Sequence, residues 1–241
     1  MTFSVVARCP RTGELGVAVA TAVPAVAPMC AFVGPRVGAV ATQSWVNPYL
    51  GIDGLALLRE GLRAQAVLDR VIAADPDAQE RQLAVVDSGG GSAAFTGAAC
   101  TGSSGHLTGP DHAAVGNMLR RPETLDVMVA ALRHSAEEPL AERLVRALEA
   151  GDAAGGDKRG RQSAAVRVFG QEDYPAVDVR VDDHPAPVGE LRRVWEVARR
   201  ELLPFVAMMP TRAQPGGRQD QRVVDFLLLS PAERAARDAP G

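Results

Sequence analysis

The chain has 241 residues, of which 46% are hydrophobic and only 4% aromatic, and its formal net charge is −3. This length and hydrophobic content indicate a folded protein with a substantial core and exclude a disordered chain. The small net charge gives no electrostatic basis for nucleic-acid binding, and no apolar run has the length of a membrane span, so neither partner is expected.

The chain opens with a predicted hairpin. Residues 3–8 alternate with the two-residue period of a strand, residues 16–21 form a second strand of small apolar residues, and Arg11–Glu14 has turn composition. The first strand begins at Thr2, directly after Met1. Aminopeptidases remove Met before a small side chain, and Thr2 would then carry a hydroxyl nucleophile and an amine base in one residue. Alone this is weak evidence, because an ordinary surface terminus often has Thr in second place.

The middle of the chain is read as an irregular segment, a strand, a polar loop, one long helix, a hairpin, a flexible Gly-rich loop and a short strand. Their expected ranges are 22–35, 37–44, 45–51, 53–72, 82–96, 97–111 and 113–117. Asp53 is the predicted N-cap of the helix, Asp75–Pro76 its end, and Ser88–Gly91 the turn of the hairpin.

The second half is predicted to hold helices 123–133 and 139–149, strands 163–168 and 177–181, and an amphipathic helix 188–205. Pro139 suits a first helical turn and Gly151 is the expected end of the second helix. Runs of strands between helices, with strands apolar on both faces, predict an α+β fold: a four-layer αββα sandwich of two mainly antiparallel sheets with helices outside. We assign residues 1–206 to this domain and 207–241 to a linker and a weakly attached C-terminal segment.

Several separated blocks of the sequence resemble one family. The blocks are Thr2–Arg8, Gly13–Ala20, Val37–Gln43, Gly116–Leu119, Ala154–Ala165 and Val181–Pro185. They resemble the uncharacterised family called domain of unknown function 1028, over about residues 2–205, and that family looks like the N-terminal-nucleophile (Ntn) hydrolase superfamily. The resemblance implies the same αββα sandwich. It also implies an amidohydrolase that cleaves a small amide or peptide-like bond with Thr2 as nucleophile after removal of Met1.

Polar residues at strand ends complete the site that the resemblance implies. Gln43 and Asn117 are the predicted catalytic partners of Thr2, and the predicted substrate contacts are Thr21, Ser44 and Asn47. The alternative for the Gln43–Asn47 group is loop capping, and for Asn117 a structural amide with a buried partner. Proteasome-like relatives carry an acidic residue at the position of Thr21 and a lysine near the third strand. Neither is present here, so catalysis would depend on hydrogen bonds.

A second group of predicted substrate-binding residues lies in the Gly-rich segment before the strand at 163: Gly155, Gly156, Asp157 and Arg159. Glycine lets backbone amides approach a ligand, and arginine can bind a carboxylate through two hydrogen bonds. The alternative is a structural turn in which Asp157 and Arg159 pair with each other. The spacing excludes a phosphate-binding P-loop.

These patterns leave two functions open. One is the amidohydrolase acting on a small-molecule amide or peptide-like substrate; the other is a non-catalytic ligand-binding or assembly protein on the same scaffold, since the acidic and lysine partners are missing. Cys9, Cys30 and Cys100 fit neither a disulfide framework nor metal-ligand spacing, and the four histidines are scattered. We therefore expect no metal, no cofactor and a cytoplasmic location without a secretory signal. Two-sheet sandwiches often associate, which predicts a homo-oligomer.

Overall fold

The computed structural model describes residues 2–237. Within them the strands are β1 Thr2–Arg8, β2 Leu15–Thr21, β3 Ala31–Gly34, β4 Gly38–Ser44, β5 Arg81–Asp87, β6 Ser92–Thr96, β7 Gly105–Gly109, β8 His112–Gly116, β9 Ser163–Phe169 and β10 Pro175–Val181. The helices are α1 Ala27–Cys30, α2 Pro48–Arg59, α3 Ala64–Ala74, α4 Thr124–His134, α5 Leu140–Ala153, α6 Pro187–Glu201, α7 Leu203–Val206, α8 Gln221–Leu227 and α9 Pro231–Ala235, with a short 3-10 turn at Ala78–Glu80.

The strands form two antiparallel sheets. The first sheet has the order β10-β9-β2-β1-β8-β7 and the second the order β3-β4-β5-β6. Strand β1 lies inside the first sheet, paired with β2 on one side and β8 on the other. Its alternating side chains face both ways and are buried on both faces, as the apolar sequence of the strand requires.

The two sheets pack face to face through small side chains. Val6 and Val17 of the first sheet and Ala41 and Ala84 of the second belong to one buried cluster between them. On the outer face of the second sheet, α2 and α3 bury a separate apolar cluster, while α4 and α5 pack on the first sheet. The predicted four-layer αββα sandwich is confirmed.

The chain divides into two units, Met1–Leu191 and Arg192–Gly241, and the sandwich belongs to the first. In the second unit, Arg234 donates from Nε to Glu201 at 2.7 Å and from Nη1 to the carbonyls of Leu227 and Leu229. The predicted domain boundary after residue 206 stays a prediction. The segment after residue 206 contains α8 and α9, and the predicted helix 188–205 is divided into α6 and α7.

The helix expected to begin at Asp53 begins earlier in the structure. Helix α2 starts instead at Pro48, because Asn47 is its N-cap and accepts a hydrogen bond from the Tyr49 amide at 3.1 Å. Gly61 lies between α2 and α3 and has φ +92°, a conformation that interrupts a helix. The apolar pattern read as one helix over 53–72 is therefore divided between two helices.

Three other expectations were wrong in detail. The segment read as irregular before residue 36 contains α1 and β3, and the Gly-rich loop 97–111 contains β7, which pairs with β8. Gly151 does not end α5, because the helix continues to Ala153. A β-carbon at Gly151 would lie 2.8 Å from Met128 Cγ and 3.2 Å from the Phe3 ring, so glycine permits close packing there. The predicted strand pairs 3–8 with 16–21, 82–87 with 92–96 and 163–168 with 177–181 are confirmed, with strand ends that differ by up to two residues.

Candidate active site

Four strand ends meet at one edge of the first sheet. Strand β1 begins at Thr2, β2 ends at Thr21 and β9 begins at Ser163, and these three residues are opposite one another in the strand register. Strand β10 ends nearby at Val181. A cavity of about 410 Å³ opens at this edge and is lined by Ala22, Arg159, Gly160, Arg161, Gln162, Asp183, His184 and Pro185.

Thr2 is held firmly at this edge. Its side chain is on the same face of β1 as Ser4 and Val6, which point between the two sheets. Thr2 Oγ1 lies 3.1 Å from Thr21 Oγ1. The Thr2 carbonyl accepts hydrogen bonds from Gln43 Nε2 at 2.9 Å and from the backbone N–H of Asn117 at 3.1 Å. The residue is 6% exposed, so only a small part of it is open to solvent.

The structure brings Thr2, Thr21, Gln43 and Asn117 together through buried hydrogen bonds. Ser4 Oγ donates to Gln43 Oε1 at 2.6 Å, which fixes the orientation of that amide. Gln43 Nε2 donates both to the Thr2 carbonyl and, at 3.0 Å, to Gln82 Oε1. These contacts position the first strand and occupy both amide hydrogens of Gln43.

Gln82 is the residue that the sequence analysis missed. It is fully buried, and its Oε1 accepts from Gln43 and, at 2.8 Å, from Asn117 Nδ2. Its Nε2 donates to the Gly116 carbonyl at 2.7 Å and to Thr96 Oγ1 at 3.1 Å. An amide that faces inward within an otherwise apolar strand was the available signal, because such a group needs a partner.

Asn47 and Ser44 serve the loop after β4 rather than contacting Thr2. Asn47 Nδ2 donates to Asp75 Oδ2 at 3.0 Å, and Arg81 Nε donates to the same oxygen at 2.9 Å. Burial opposes the charge on Asp75, but the hydrogen bonds from Arg81, Asn47 and the Asp77 amide outweigh it, so the pKa of Asp75 lies below its usual range. Ser44 has φ +76°, which turns the chain sharply at the end of β4. The contacts of Asn47 are those of the loop-capping alternative.

The Gly155–Arg159 segment forms a tight turn beside the cavity. Gly155 and Gly156 have φ values of +108° and +48°, and a β-carbon at Gly156 would lie 3.1 Å from the Phe3 ring. Asp157 is buried and accepts from the Arg159 amide at 2.7 Å, with Arg159 Nη2 at 3.4 Å from its other oxygen. The Asp157–Arg159 pair of the alternative interpretation is therefore formed, while Arg159 also lines the cavity.

The chemistry available around Thr2 is that of neutral hydrogen-bonding groups. Its hydroxyl partner is Thr21, and its carbonyl partners are the Gln43 side chain and the backbone N–H of Asn117.

Among residues 2–237, no three His, Cys, Asp or Glu side chains lie close enough together to bind a metal ion. In that same part of the chain, no helix combines the length and apolar character needed to cross a bilayer.

Comparison with known proteins found one matching family model and similar solved structures. A family model described as "Family of unknown function (DUF1028)" matches residues 2–191. The crystal structure of protein SPO2555 from Silicibacter pomeroyi, described with the same family, is 31% identical with a TM-score of 0.83, covering 91% of this chain and 96% of that chain. Anbu (ancestral beta-subunit) from Yersinia bercovieri is 14% identical with a TM-score of 0.39, over 86% and 98% of the two chains. The comparison with curated proteins gave no match.

Proposed function

The chain belongs to the DUF1028 family of unknown function, and we propose that it is an N-terminal-nucleophile amidohydrolase with Thr2 as its nucleophile. One observation carries the proposal. The first residue of an inner strand holds its hydroxyl 3.1 Å from a second hydroxyl, at the sheet edge where a cavity opens. Rigid placement of a nucleophile beside a space for substrate is the geometry that covalent catalysis needs.

The reaction requires that an aminopeptidase first remove Met1. The Thr2 hydroxyl then attacks the amide carbonyl carbon, and the freed α-amino group of Thr2 takes the hydroxyl proton. The carbon–nitrogen bond breaks, the same amine returns the proton to the leaving nitrogen, and an ester to Thr2 remains. Water hydrolyses this ester, which releases a carboxylic acid and restores the Thr2 hydroxyl.

The neighbouring residues have different roles in this proposal. Thr21 supplies a hydroxyl that can donate to the Thr2 oxygen as it becomes negative. Gln43 through its side chain and Asn117 through its backbone N–H donate to the Thr2 carbonyl, so both act as positioning residues that keep the amino end of β1 in place. A merely structural role for Gln43 would leave the pH dependence of turnover unchanged when Gln43 is replaced.

The mechanism is tested by the mass of the purified protein and by replacement of Thr2. We expect the intact mass to show loss of Met1, and Thr2→Ala to abolish turnover of small amide substrates while the thermal unfolding temperature changes little. Thr12→Ala is the matched control, because Thr12 is an exposed hydroxyl residue in the β1–β2 turn. Retention of Met1 in an active preparation would rule out the amine as base.

A second candidate function is a non-catalytic binding or assembly protein. The observation in its favour is that the amide hydrogens of Gln43 are engaged inside the protein, which leaves them unavailable to stabilise an oxyanion. An electrophilic probe that reacts with activated hydroxyls distinguishes the two functions. Labelling of Thr2 supports the hydrolase, and its failure with the mature protein supports the binding function.

A further inference from the structure

The cavity at the Thr2 edge is built from three loops that continue the strands around Thr2. Ala22 directly follows Thr21 at the end of β2, residues 159–162 directly precede β9, and Asp183 and His184 follow β10. Backbone hydrogen bonds join these loops: the Gln162 amide donates to the Thr21 carbonyl at 2.7 Å, and the His184 amide donates to the Gln162 carbonyl at 2.9 Å. Because Ala22 follows Thr21, and Thr21 is opposite Thr2 in the strand register, the cavity opens next to the strand pair that contains Thr2.

The side chains that line this cavity mostly donate hydrogen bonds. Arg159 and Arg161 contribute two guanidinium groups. Arg161 is anchored through its Nε by Asp152, and its terminal nitrogens form no hydrogen bond within the part of the chain that the structure describes. His184 Nδ1 accepts from the Ala186 amide at 3.0 Å, so in the neutral ring the proton is on Nε2, which is then a donor.

The one carboxylate in the cavity wall is already engaged. Asp183 accepts from Gln162 Nε2 at 3.0 Å, within the same wall. Asp152 and Asp157, which form ion pairs with Arg161 and Arg159, are not among the residues that line the cavity. The cavity therefore presents anchored cationic donors, and guanidinium donors favour a planar carboxylate.

From this arrangement, we propose that the cavity binds a carboxylate group of the substrate and that the protein acts on amides that carry a free carboxylate close to the bond that is cleaved. This inference rests on the proposed function, since it assigns the substrate class of that site. Arg161 and the His184 Nε2–H bind the carboxylate, which places the amide carbonyl toward Thr2. A neutral amide of the same size lacks these charge-assisted hydrogen bonds and binds more weakly.

Binding to the mature Thr2→Ala protein tests the inference without turnover. The probes are N-acetyl-L-alanine, which has its carboxylate on the amine side, and succinamic acid, which has it on the acyl side. Their neutral counterparts are N-acetyl-L-alaninamide and succinamide. By titration calorimetry or NMR titration, we expect at least one acid to bind about tenfold or more tightly than its neutral counterpart, the effect of a charged hydrogen-bonded pair. Equal or undetectable binding of both acids would overturn the inference.

Substitution of Arg161 locates the binding site. Arg161→Gln should weaken binding of the acid about tenfold and leave binding of the neutral amide unchanged, while Arg161→Lys restores part of the affinity because the charge remains. Arg11→Gln is the matched control, since Arg11 lies in the β1–β2 turn and forms an exposed ion pair with Glu137. Because Asp152 loses its partner in Arg161→Gln, thermal unfolding of each variant is measured first. Unchanged acid binding in a folded Arg161→Gln protein contradicts the assignment.

The experiment also separates this inference from the proposed function. If the acids bind through Arg161 but the wild-type protein does not cleave them and Thr2 resists an electrophilic probe, the hydrolase proposal fails while the carboxylate site stands. If Thr2 is acylated and acids and neutral amides are cleaved at equal rates, the hydrolase stands and the carboxylate site fails.

Discussion

Gln82 shows how a single buried side chain can organise the candidate site. Its amide oxygen accepts from Gln43 and Asn117, and its amide nitrogen donates to the Gly116 carbonyl. Gln43 in turn holds the Thr2 carbonyl. Both sheets contribute to this network, because Gln43 and Gln82 belong to the second sheet and Asn117 directly follows β8 of the first. Thr2 is thus positioned by hydrogen bonds rather than by charges.

We predict that Gln82→Met lowers the free energy of unfolding by about 2–4 kcal/mol, because methionine fills the space but leaves two buried amide donors and a carbonyl without their partner. Urea denaturation measures the change. Gln65→Met is the control, since Gln65 is exposed on α3 and should change stability by no more than about 0.5 kcal/mol. Equal midpoints for Gln82→Met and wild type would mean that the network contributes nothing to the fold.

Some residues of the candidate site could be predicted from the sequence and others could not. The hydroxyl residue at the start of β1 could be identified because it follows Met1 and begins an alternating strand. The partners of Gln82 could not, because Gln43 and Asn117 lie 39 and 35 positions away and their contacts depend on how the two sheets face each other. The same holds for Asn47, whose contact with Asp75 spans 28 positions.

At the scale of the elements, local patterns predicted most strands and misplaced some boundaries. The turn residues at Ser88–Gly91 and the alternation in β1 were sufficient for their hairpins. Strand β7 was missed because Gly105 and Gly109 give it the composition of a loop, and it is a strand only because β8 offers it hydrogen bonds. Helix α2 began earlier than expected because its cap, Asn47, lies in a segment read as loop.

Two glycines within α2 give an element-scale prediction with an internal control. A β-carbon at Gly51 would collide with the Phe32 ring of β3, whereas one at Gly54 would lie 3.6 Å from Val40 and Val67, an ordinary contact. We predict that Gly51→Ala destabilises the protein by about 1–3 kcal/mol through overpacking. Gly54→Ala should be neutral or stabilise by up to about 1 kcal/mol, because alanine favours the helix. Thermal or urea unfolding of both variants tests this, and equal effects would contradict the close packing of α2 on β3.

For the sandwich domain as a whole, small side chains between the sheets connect the composition of the chain with its candidate site. Ala39, Ala41 and Gln43 occupy one face of β4, and Gln82, Ala84 and Val86 occupy the same inner face of β5. Small residues along these strands let the sheets approach closely, which brings the amides at the strand ends within hydrogen-bonding distance of the first sheet. The low aromatic content noted in the sequence is consistent with this spacing.

Widening the space between the sheets should therefore reduce both stability and the ordering of Thr2. Ala41→Leu adds three carbons to a fully buried position between the sheets, and we predict a loss of about 1–3 kcal/mol in the free energy of unfolding. Ala66→Leu makes the same change at an exposed position of α3 and should change stability by no more than about 0.5 kcal/mol. Because Gln43 follows Ala41 by two residues on the same face, a folded Ala41→Leu protein should also lengthen the Gln43–Thr2 contact and slow labelling of Thr2 by an electrophilic probe. Unchanged labelling in a destabilised Ala41→Leu protein would contradict the prediction that packing between the sheets controls the position of Thr2.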